Sequence, residues 1–285
     1  MNDEKQCTKK ELTPIQQIER SIHKKFRKTI WKSFVAGIQR YELLREGDCI
    51  AVCISGGKDS MLLAKLMQAL HRVSDFPFDV KYIVMNPGYN EINFQRVISN
   101  AAKLEIPIEV FDSDIFEVVT NVDRSPCYLC ARMRRGYLYS HAQKLGCNKI
   151  ALGHHFNDVV ETTLMGMLFG AQIQTMMPKV KSKNFPGLEL IRPMYCVPED
   201  EIIAWKRYNN LEFIQCACPL SENCSVFDAS GGTSKRAEVK ALLKNLKRDN
   251  KDVEKSIFRS LHSVNLDTVI GYKLDDVEYD FLGRY

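Results

Sequence analysis

A short apolar strand pattern followed by two glycines is the feature that most constrains how this chain can fold. Cys49–Ile54 is a run of apolar and small residues, and Ser55-Gly56-Gly57-Lys58-Asp59-Ser60 follows it directly. A helical pattern begins after this loop, at residues 61–70. Two glycines let a backbone approach an anion closely, and the N-terminus of the next helix offers unpaired N–H groups. The pattern therefore predicts a phosphate-binding loop between a buried strand and a helix.

Strand and helix patterns alternate along the middle of the chain. The strand patterns lie at Cys49–Ile54 and at residues 78–85, 108–111, 149–152 and 211–214. The helical patterns lie at residues 61–70, 91–104, 132–145 and 158–168 and at Glu199–Tyr208, whereas residues 170–188 and 221–234 read as loops. Alternation at this spacing predicts an α/β, Rossmann-like parallel sheet flanked by helices, which binds ligands at the carboxyl ends of its strands.

The predicted sheet domain lies between two regions of a different character. Residues 15–44 read as one long amphipathic helix, interrupted at most near Gly37, because apolar residues recur every four positions. These apolar residues are Ile18, Ile22, Phe26, Ile30, Phe34 and Ile38. Beyond the sheet domain, residues 235–261 return to a helical pattern. We therefore expect three regions: a basic helical region at 1–46, the sheet domain at 47–218, and a C-terminal extension of loop and helix at 219–285.

Positive charge is concentrated near the start of the chain. Between residues 20 and 45, eight lysines and arginines face a single acid, Glu42, which gives this window a net charge of +7. Residues 235–259 form a second basic segment. Such clustering indicates a polyanionic partner that meets one face of the protein. The alternative is that these lysines and arginines form solvated helix faces.

Composition excludes several classes of protein. Apolar residues make up 45% of the chain and charged residues 26%, as in globular proteins. No apolar run approaches the about 20 residues that a membrane span requires, and the N-terminus lacks the apolar core of a secretory signal. We therefore expect a soluble, cytoplasmic protein, in which disulfides are rare. Five scattered cysteines are expected to be small buried hydrophobes, namely Cys7, Cys49, Cys53, Cys147 and Cys196.

The other cysteines need a chemical explanation. Cys127 and Cys130 form a Cys-x-x-Cys motif, and Cys216, Cys218 and Cys224 cluster later in the chain. By itself the motif fits zinc, a redox pair or an iron–sulfur cluster. Zinc requires four ligands, which Cys127, Cys130, Cys216 and Cys218 could supply. Three cysteines around a [4Fe–4S] cluster would instead leave one iron open to an exchangeable ligand.

The loop at residues 55–60 is not a Walker A loop and resembles the signature of the PP-loop ATP pyrophosphatases, which cleave ATP between its α and β phosphates. A second segment agrees, because Gly153-His154-His155-Phe156-Asn157-Asp158 with Glu161-Thr162 resembles the Gly-His-x-x-Asp-Asp-x-x-Glu-Thr of that superfamily. Asn157 stands where the superfamily has its first Asp, so only Asp158 is expected to share a Mg²⁺ or ATP role. Adjacent His154 and His155 could suggest zinc, but capping a helix and lining the nucleotide site is the favoured interpretation.

The order of the motifs resembles a narrower family. After the PP-loop come Cys127-x-x-Cys130-x-Arg132-x-Arg134-Arg135-Gly136, Ala151-Leu152-Gly153-His154-His155, Met177-Pro178-Lys179 and Ile191-Arg192-Pro193. From about residue 24 to residue 218 this order is similar to the tRNA 2-thiocytidine synthetase (TtcA) family. The resemblance implies an ATP-dependent tRNA sulfurtransferase. Such an enzyme adenylates the C2 oxygen of a tRNA cytidine, at position 32 in the anticodon loop, and replaces that oxygen with sulfur to give 2-thiocytidine.

The resemblance also implies cofactors and site residues. The cofactors would be ATP, Mg²⁺ and a [4Fe–4S] cluster. ATP would be bound by Ser55, Gly56, Gly57, Lys58, Asp59, Ser60 and Gly153. The cluster would be held by Cys127, Cys130 and Cys218. Cys216 is an alternative third ligand, because this chain has Cys216-Ala217-Cys218 where the family usually shows Cys-x-x-Cys. Catalytic roles would fall on Lys58, Asp59, Asp158, Arg134 and Arg135, with Asp59 as a Mg²⁺ ligand.

The partners implied by the resemblance are tRNA, which the basic segments would contact, and a sulfur donor. That donor would be a cysteine desulfurase or free sulfide, whereas no membrane partner is expected and a homodimer remains open. Three other functions remain open beside this interpretation. The first is a tRNA thiolase that forms 2-thiouridine, whose relatives usually carry extra terminal cysteine pairs that this chain lacks. The second is a noncatalytic zinc- or redox-sensing RNA-binding protein. The third is an amide-forming PP-loop ligase or a lysidine-type synthetase, which would leave the cysteines unexplained.

Overall fold

Helices and strands alternate through most of the structure. The computed structural model describes residues 12–120, 126–214 and 234–285. Within these residues the α-helices are α1 (Pro14–His23), α2 (Lys32–Arg40), α3 (Lys58–Val73), α4 (Glu91–Lys103), α5 (Ile115–Thr120), α6 (Pro126–Lys144), α7 (Phe156–Gly170), α8 (Glu199–Tyr208), α9 (Lys235–Asp249) and α10 (Val253–Ser260). The strands are β1 (Cys49–Ile54), β2 (Asp79–Asn86), β3 (Ile108–Asp112), β4 (Lys149–Ala151), β5 (Lys179–Lys181), β6 (Glu189–Ile191), β7 (Gly271–Leu274) and β8 (Val277–Asp280).

Six of these strands form one sheet in the order β3-β2-β1-β4-β6-β5. Neighbouring strands are parallel except for β5, which runs antiparallel to β6. Ile50 in β1 lies opposite Val80 in β2 on one side and opposite Lys149 in β4 on the other. The predicted Rossmann-like α/β sheet is confirmed, and β1, β2, β3 and β4 lie within one residue of their predicted bounds.

β1 lies in the interior of the sheet because helices cover both of its faces. Ile50, Val52 and Ile54 belong to one hydrophobic core, whereas Ala51 and Cys53 belong to another. Successive side chains of a strand point to opposite faces, so a continuous apolar run suits this position. Strand order reverses between β1 and β4, and doubly wound sheets bind their ligands in the crevice at such a switch point.

The single long helix predicted for residues 15–44 is wrong. α1 ends at His23, a π-helical turn covers Arg27–Trp31, and α2 follows, with Gly37 inside it. The apolar residues that repeat every four positions are nevertheless all buried. A repeat of four drifts by about 40° per step around an α-helix of 3.6 residues per turn. The wider π turn is the local adjustment that returns these side chains to the core.

Two further expectations differ from the structure. Residues 211–214 were expected to form a strand, but they form none, although Leu211, Phe213 and Ile214 are buried. The predicted loop at 170–188 contains β5, and β6 was not predicted. The helical pattern at 235–261 is confirmed and is divided between α9 and α10. Strands of three residues are too short to show a period of two, which explains why β5 and β6 escaped the sequence pattern.

The contacts divide the chain into two compact units. The first comprises Met1–Val159 and Met176–Ser234, and the second comprises Val160–Thr175 and Lys235–Tyr285. The region boundaries predicted after residues 46 and 218 stay predictions. Among the described helices, none combines the length and the apolar character needed to cross a bilayer.

The second unit is built from most of α7, two basic helices and a hairpin. α9 and α10 carry the buried apolar residues Val239, Leu243 and Phe258. Arg236 and Lys240 of α9 each lie within 4 Å of the buried Glu161 carboxylate on α7. β7 and β8 pair antiparallel, with Tyr272 opposite Tyr279. Within residues 234–285 the chain is therefore helical at first and then forms a hairpin that the sequence patterns did not predict.

Candidate functional site

The PP-loop closes on itself through its two serines. The Ser55 N–H donates to Ser60 Oγ at 3.2 Å, and Ser60 Oγ donates to the Gly57 carbonyl at 3.0 Å. Gly57 is the N-cap of α3, which begins at Lys58. The N-terminus of a 16-residue helix therefore lies in the loop, and its first N–H groups suit an anion such as phosphate.

Gly153 brings the end of β4 against the PP-loop. A Cβ at Gly153 would lie 3.1 Å from the Asp59 carbonyl carbon and 3.1 Å from the Ser60 nitrogen. Both are backbone atoms at the start of a helix, so neither can rotate away. Glycine is therefore required for this close approach, and the structure places the two predicted ATP-binding segments side by side at the switch point.

Lys58 lies between two carboxylates. Its Nζ is 3.0 Å from Asp59 Oδ2 and 3.2 Å from Glu199 Oε1, which projects from the first turn of α8. Burial alone would lower the pKa of Lys58, but the two carboxylates outweigh burial and raise that pKa. The ammonium group therefore stays charged at neutral pH and is available to a phosphate.

The start of α7 is held by reciprocal caps. The His155 N–H donates to Asp158 Oδ2 at 3.0 Å, and the Asp158 N–H donates to His155 Nδ1 at 3.4 Å. His155 is buried, with Nε2 lying 3.9 Å from Asp59 Oδ1. Asn157 Oδ1 accepts the Glu199 N–H at 2.9 Å and so joins α7 to α8. His155 thus caps a helix, as favoured from the sequence, and Asn157 holds Glu199 in place beside the PP-loop.

A cavity of about 330 Å³ opens where β1 and β4 end. This volume is at the lower end of the range for small-molecule sites, about 300–1,000 Å³. The cavity is lined by residues of the PP-loop, of β1 and β2, of the segments that follow β2 and β4, of the middle of α6 and of the start of α7, namely Cys53, Ile54, Ser55, Asp59, Ser60, Met85, Tyr89, Arg134, Leu138, Leu152, Gly153, His154 and Asp158. Asp59, Arg134 and Asp158, three of the predicted catalytic residues, therefore meet in one cavity.

Two polar atoms in the cavity wall indicate where a ligand would bind. Asp59 Oδ1 and Arg134 Nε are buried, and neither has a hydrogen-bond partner within the described parts of the chain. Buried polar atoms are normally paired, so this carboxylate oxygen and this guanidinium N–H mark positions that a bound molecule would satisfy. The Arg134 guanidinium lies 5.5 Å from the Phe116 ring centre, which limits its movement. Arg135 is exposed and does not line this cavity.

Only part of the predicted cluster site can be placed. Cys130 is a free, half-buried thiol on α6, packed against the apolar group that contains Met85 and Phe116. It lies four residues before Arg134 and hence on the same face of the helix. The side chains of Cys127, Cys216, Cys218 and Cys224 lie outside the described residues. Cys130 is therefore the one predicted ligand whose surroundings are visible, and they adjoin the cavity.

The scattered cysteines differ in their exposure. Cys53 and Cys147 are buried as predicted, Cys49 and Cys196 are half-buried, and Cys7 lies outside the described residues. Burial raises the pKa of the Cys53 thiol, although this residue lines the cavity, so it is protonated and a poor nucleophile at neutral pH. Burial, with help from Cys49, raises the pKa of Cys147 to about 12.

Glu199 is a charged site residue that the sequence patterns missed. It follows Lys58 by 141 positions, in a helix whose sequence carries no motif. Tyr89 and Leu138 were also missed, because apolar and aromatic residues of a cavity wall resemble those of a core. For Glu199, its place in the first turn of a helix was the only available signal.

The chain is similar to proteins of known function. The profile of the PP-loop domain family matches residues 17–222. The chain is 34% identical over 232 residues to a tRNA-cytidine(32) 2-sulfurtransferase of Citrifermentans bemidjiense, covering 80% of this chain and 87% of that protein. A tRNA-cytidine(32) 2-sulfurtransferase of Geobacter sulfurreducens is 34% identical over 227 residues, covering 79% and 85%.

The fold is similar to that of a solved structure. The U34-tRNA thiolase NcsA from Methanococcus maripaludis, with its [4Fe-4S] cluster, superimposes with a TM-score of 0.63 at 21% identity, covering 86% of this chain and 80% of that one. At this identity the likeness concerns the fold. The sequence similarity to the two sulfurtransferases supports a family assignment, because it spans most of both chains. The chain therefore belongs to the PP-loop domain family and, within it, to the tRNA 2-thiocytidine synthetase (TtcA) family that its motifs predicted.

Proposed function

We propose that this protein is an ATP-dependent tRNA sulfurtransferase that converts a cytidine at position 32 of the anticodon loop into 2-thiocytidine. One observation carries the proposal beyond the family resemblance. The helix that contains the Cys-x-x-Cys motif, α6, also contributes Arg134 and Leu138 to the cavity that Ser55 and Asp59 of the PP-loop line. A nucleotide site and a cysteine motif therefore adjoin, which is what an ATP-driven exchange of oxygen for sulfur requires.

The reaction must first turn a poor leaving group into a good one. The C2 oxygen of cytidine attacks the α-phosphorus of ATP, diphosphate leaves, and C2 then carries an adenylate. A sulfide equivalent attacks C2, and AMP leaves with the former C2 oxygen. In this scheme the PP-loop holds the diphosphate portion through the α3 N-terminus and Lys58. Arg134, whose Nε is unpaired in the described structure, stabilises the negative charge that develops on the phosphate and on the oxygen.

Mg²⁺ would be held chiefly by Asp59. Its Oδ1 is buried without a hydrogen-bond partner among the described residues, and carboxylate oxygens are the ligands that Mg²⁺ prefers. When bound, the ion would neutralise phosphate charge. Asp158 lines the same cavity, but one of its oxygens accepts the His155 N–H and so helps to cap α7. Asp59→Asn should lower thiolation about a hundredfold or more. Asp112→Asn, at an exposed position of β3, is the matched control.

The [4Fe–4S] cluster would be held by Cys127, Cys130 and Cys218, with Cys216 as the alternative third ligand. The half-buried thiol of Cys130 next to the cavity fits such a role. When bound by three thiolates, a cluster supplies one iron that is open to an exogenous ligand. Cys130→Ser should abolish the brown colour of anaerobically purified protein, whereas Cys196→Ser should keep it. A colourless wild-type protein with one zinc per chain would favour the RNA-binding sensor instead.

Mass spectrometry of nucleosides tests the whole proposal. Purified protein, unmodified tRNA transcript, ATP, Mg²⁺ and sulfide should yield 2-thiocytidine, and loss of the gene should remove that nucleoside from cellular tRNA. Appearance of 2-thiouridine instead would transfer the protein to the other thiolase class. Absence of any thionucleoside, with a brown protein and intact tRNA, would contradict the proposal.

Three details belong to the same proposal and have their own measurements. The sulfur donor is a cysteine desulfurase or free sulfide, which parallel reactions with each donor distinguish. Light scattering of the protein without tRNA measures whether it forms a homodimer. Because the substrate is tRNA and no described helix suits a membrane, we expect the protein in the cytoplasm, which fractionation of cells would test.

A further inference from the structure

A groove beside α1 collects positive charge from separate parts of the chain. Its volume is about 980 Å³, and it lies between α1, the end of α4 and the end of α8. Four cationic side chains and no carboxylate are among the described residues that line it. The cationic residues are Arg20, Lys24, Lys25 and Lys103, all exposed. We call this feature the α1–α8 groove.

The walls of the α1–α8 groove are tied together by hydrogen bonds. Asn209, just after α8, donates from Nδ2 to Ser21 Oγ of α1 at 3.1 Å and to the Trp205 carbonyl at 2.8 Å. Ser21 is buried and Trp205 is fully buried, so the two helices are joined through the core. The groove is therefore formed before any partner arrives, which reduces the entropy that binding would cost.

An aromatic ring lies at the surface of the same groove. Tyr208 is 53% exposed, and Lys25 Nζ lies 3.8 Å from the centre of its ring. Single-stranded RNA is commonly bound by lysines and arginines that follow the backbone, together with aromatic rings on which bases stack. A solvated helix face would not need an exposed tyrosine or a cation from α4. The α1–α8 groove therefore has the chemistry of a single-stranded RNA site.

The end of α8 connects this groove with the PP-loop. Lys206 and Arg207 line a separate cavity of about 400 Å³ together with Gly57, Lys58 and Asp59. The next residue, Tyr208, lines the α1–α8 groove. Residues of α8 that line the two cavities are therefore consecutive in sequence, and both cavities contain lysine and arginine side chains.

We infer that the α1–α8 groove and the cavity at Lys206 and Arg207 bind the sugar-phosphate backbone of the tRNA strand that flanks the target cytidine. This inference rests on the proposed function and names the surface that the substrate uses. It also reduces the number of cations in the basic window at residues 20–45 that are expected to contact tRNA at this groove. Of the eight cations in that window, only Arg20, Lys24 and Lys25 line the groove.

The test compares two double variants of equal charge change. Lys24→Gln with Lys25→Gln removes two cations from the groove, and Lys181→Gln with Lys183→Gln removes two exposed cations at and just after the edge strand β5. Affinity for unmodified tRNA transcript is measured by fluorescence anisotropy between about 50 and 200 mM salt. We expect the groove variant to bind about tenfold more weakly, with a salt dependence reduced by about 1 per lysine removed. The β5 variant should bind like wild type.

A second variant tests the stacking surface without changing charge. Tyr208→Leu keeps an apolar side chain but removes the ring, and base stacking is worth several-fold to about a hundredfold in affinity. Urea denaturation of each variant confirms that it folds. If the folded groove variants bind tRNA as tightly as the β5 variant does, the inference is wrong.

These results separate the inference from the proposed function. When wild-type protein forms 2-thiocytidine and the groove variants bind tRNA normally, only the RNA site is misplaced. When wild-type protein binds tRNA through the groove but forms no thionucleoside, the reaction is misassigned and the RNA site stands.

Discussion

A side chain at Gly56 should destabilise the fold, because the PP-loop backbone at this residue has a conformation that favours glycine. Gly56 has a φ of +83°, a left-handed conformation that costs an L-residue roughly 1–2 kcal/mol. A Cβ there would lie 2.6 Å from Val97 Cγ2 and 2.7 Å from Ile214 Cδ1. Both side chains are buried and β-branched, which restricts their rotation, so crowding should add about 1–3 kcal/mol, the usual range for overpacking. We expect Gly56→Ala to lower the free energy of unfolding by about 2–5 kcal/mol.

Gly57 provides a matched control in the same loop. Its φ of −80° and ψ of 164° are ordinary extended values. A Cβ there would have no neighbour closer than 3.8 Å among the described residues. Alanine also restricts the unfolded chain, which is worth about 0.4–1 kcal/mol in favour of folding. Gly57→Ala should therefore change the free energy of unfolding by less than about 1 kcal/mol.

Urea denaturation followed by tryptophan fluorescence measures both changes. Trp205 is fully buried in the same hydrophobic core as Val97 and Ile214, so its emission reports on the packing that Gly56→Ala would disturb. Unfolding free energies of the two variants that agree within about 0.5 kcal/mol would refute the argument from backbone conformation and crowding. ATP affinity is a separate readout, since either new methyl group would lie in the loop that we propose to bind phosphate.

The remaining predictions concern the contacts around the site. Gly153→Ala places a Cβ 3.1 Å from two backbone atoms at the start of α3 and should lower thiolation about a hundredfold. Gly136→Ala, which meets no described atom within 4 Å, should leave the rate within a few-fold, and equal rates for both variants would contradict the reasoning. Asn157→Ala removes the side-chain acceptor of the α8 N-terminus and should cost about 0.5–2 kcal/mol in unfolding experiments, whereas Asn157→Asp keeps the acceptor and most of the stability. Burial alone would raise the pKa of Glu19. The ion pairs of Glu19 with Lys65 and Arg72 outweigh burial and lower that pKa below its usual value of 4.5. Glu19 therefore stabilises the fold above about pH 4.5 and less as pH falls through its lower folded value, so Glu19→Gln should flatten the acid side of the stability profile; an unchanged profile would show that this carboxylate contributes nothing.

Local sequence patterns predicted those helices and strands whose conformation is determined by neighbouring residues. β1 and α8 have the bounds that were expected, because a run of apolar residues and a period of 3.6 are properties of neighbouring residues. The PP-loop could be predicted for the same reason, because its strand, its glycines and its helix are consecutive in the sequence.

Other elements depend on contacts with distant parts of the chain. The π turn at Arg27–Trp31 exists because side chains spaced by four must reach one core. β5 and β6 have three residues each and become strands only by pairing with each other and with β4. Leu211, Phe213 and Ile214 are as apolar as strand residues, yet they are buried without joining the sheet. In each case packing decided between conformations that local preference leaves similar in energy.

The sequence alone determined the anion-binding turn, the family and the residue types available for chemistry, because these are fixed by consecutive side chains and backbone freedom. Only the tertiary structure decided which charges meet. Glu199 reaches Lys58 across 141 positions, and Lys103 joins Lys24 in one groove, because helices that carry no motif pack side by side. Electrostatic interactions act through space over a few ångströms, so their partners are set by packing and not by distance along the chain.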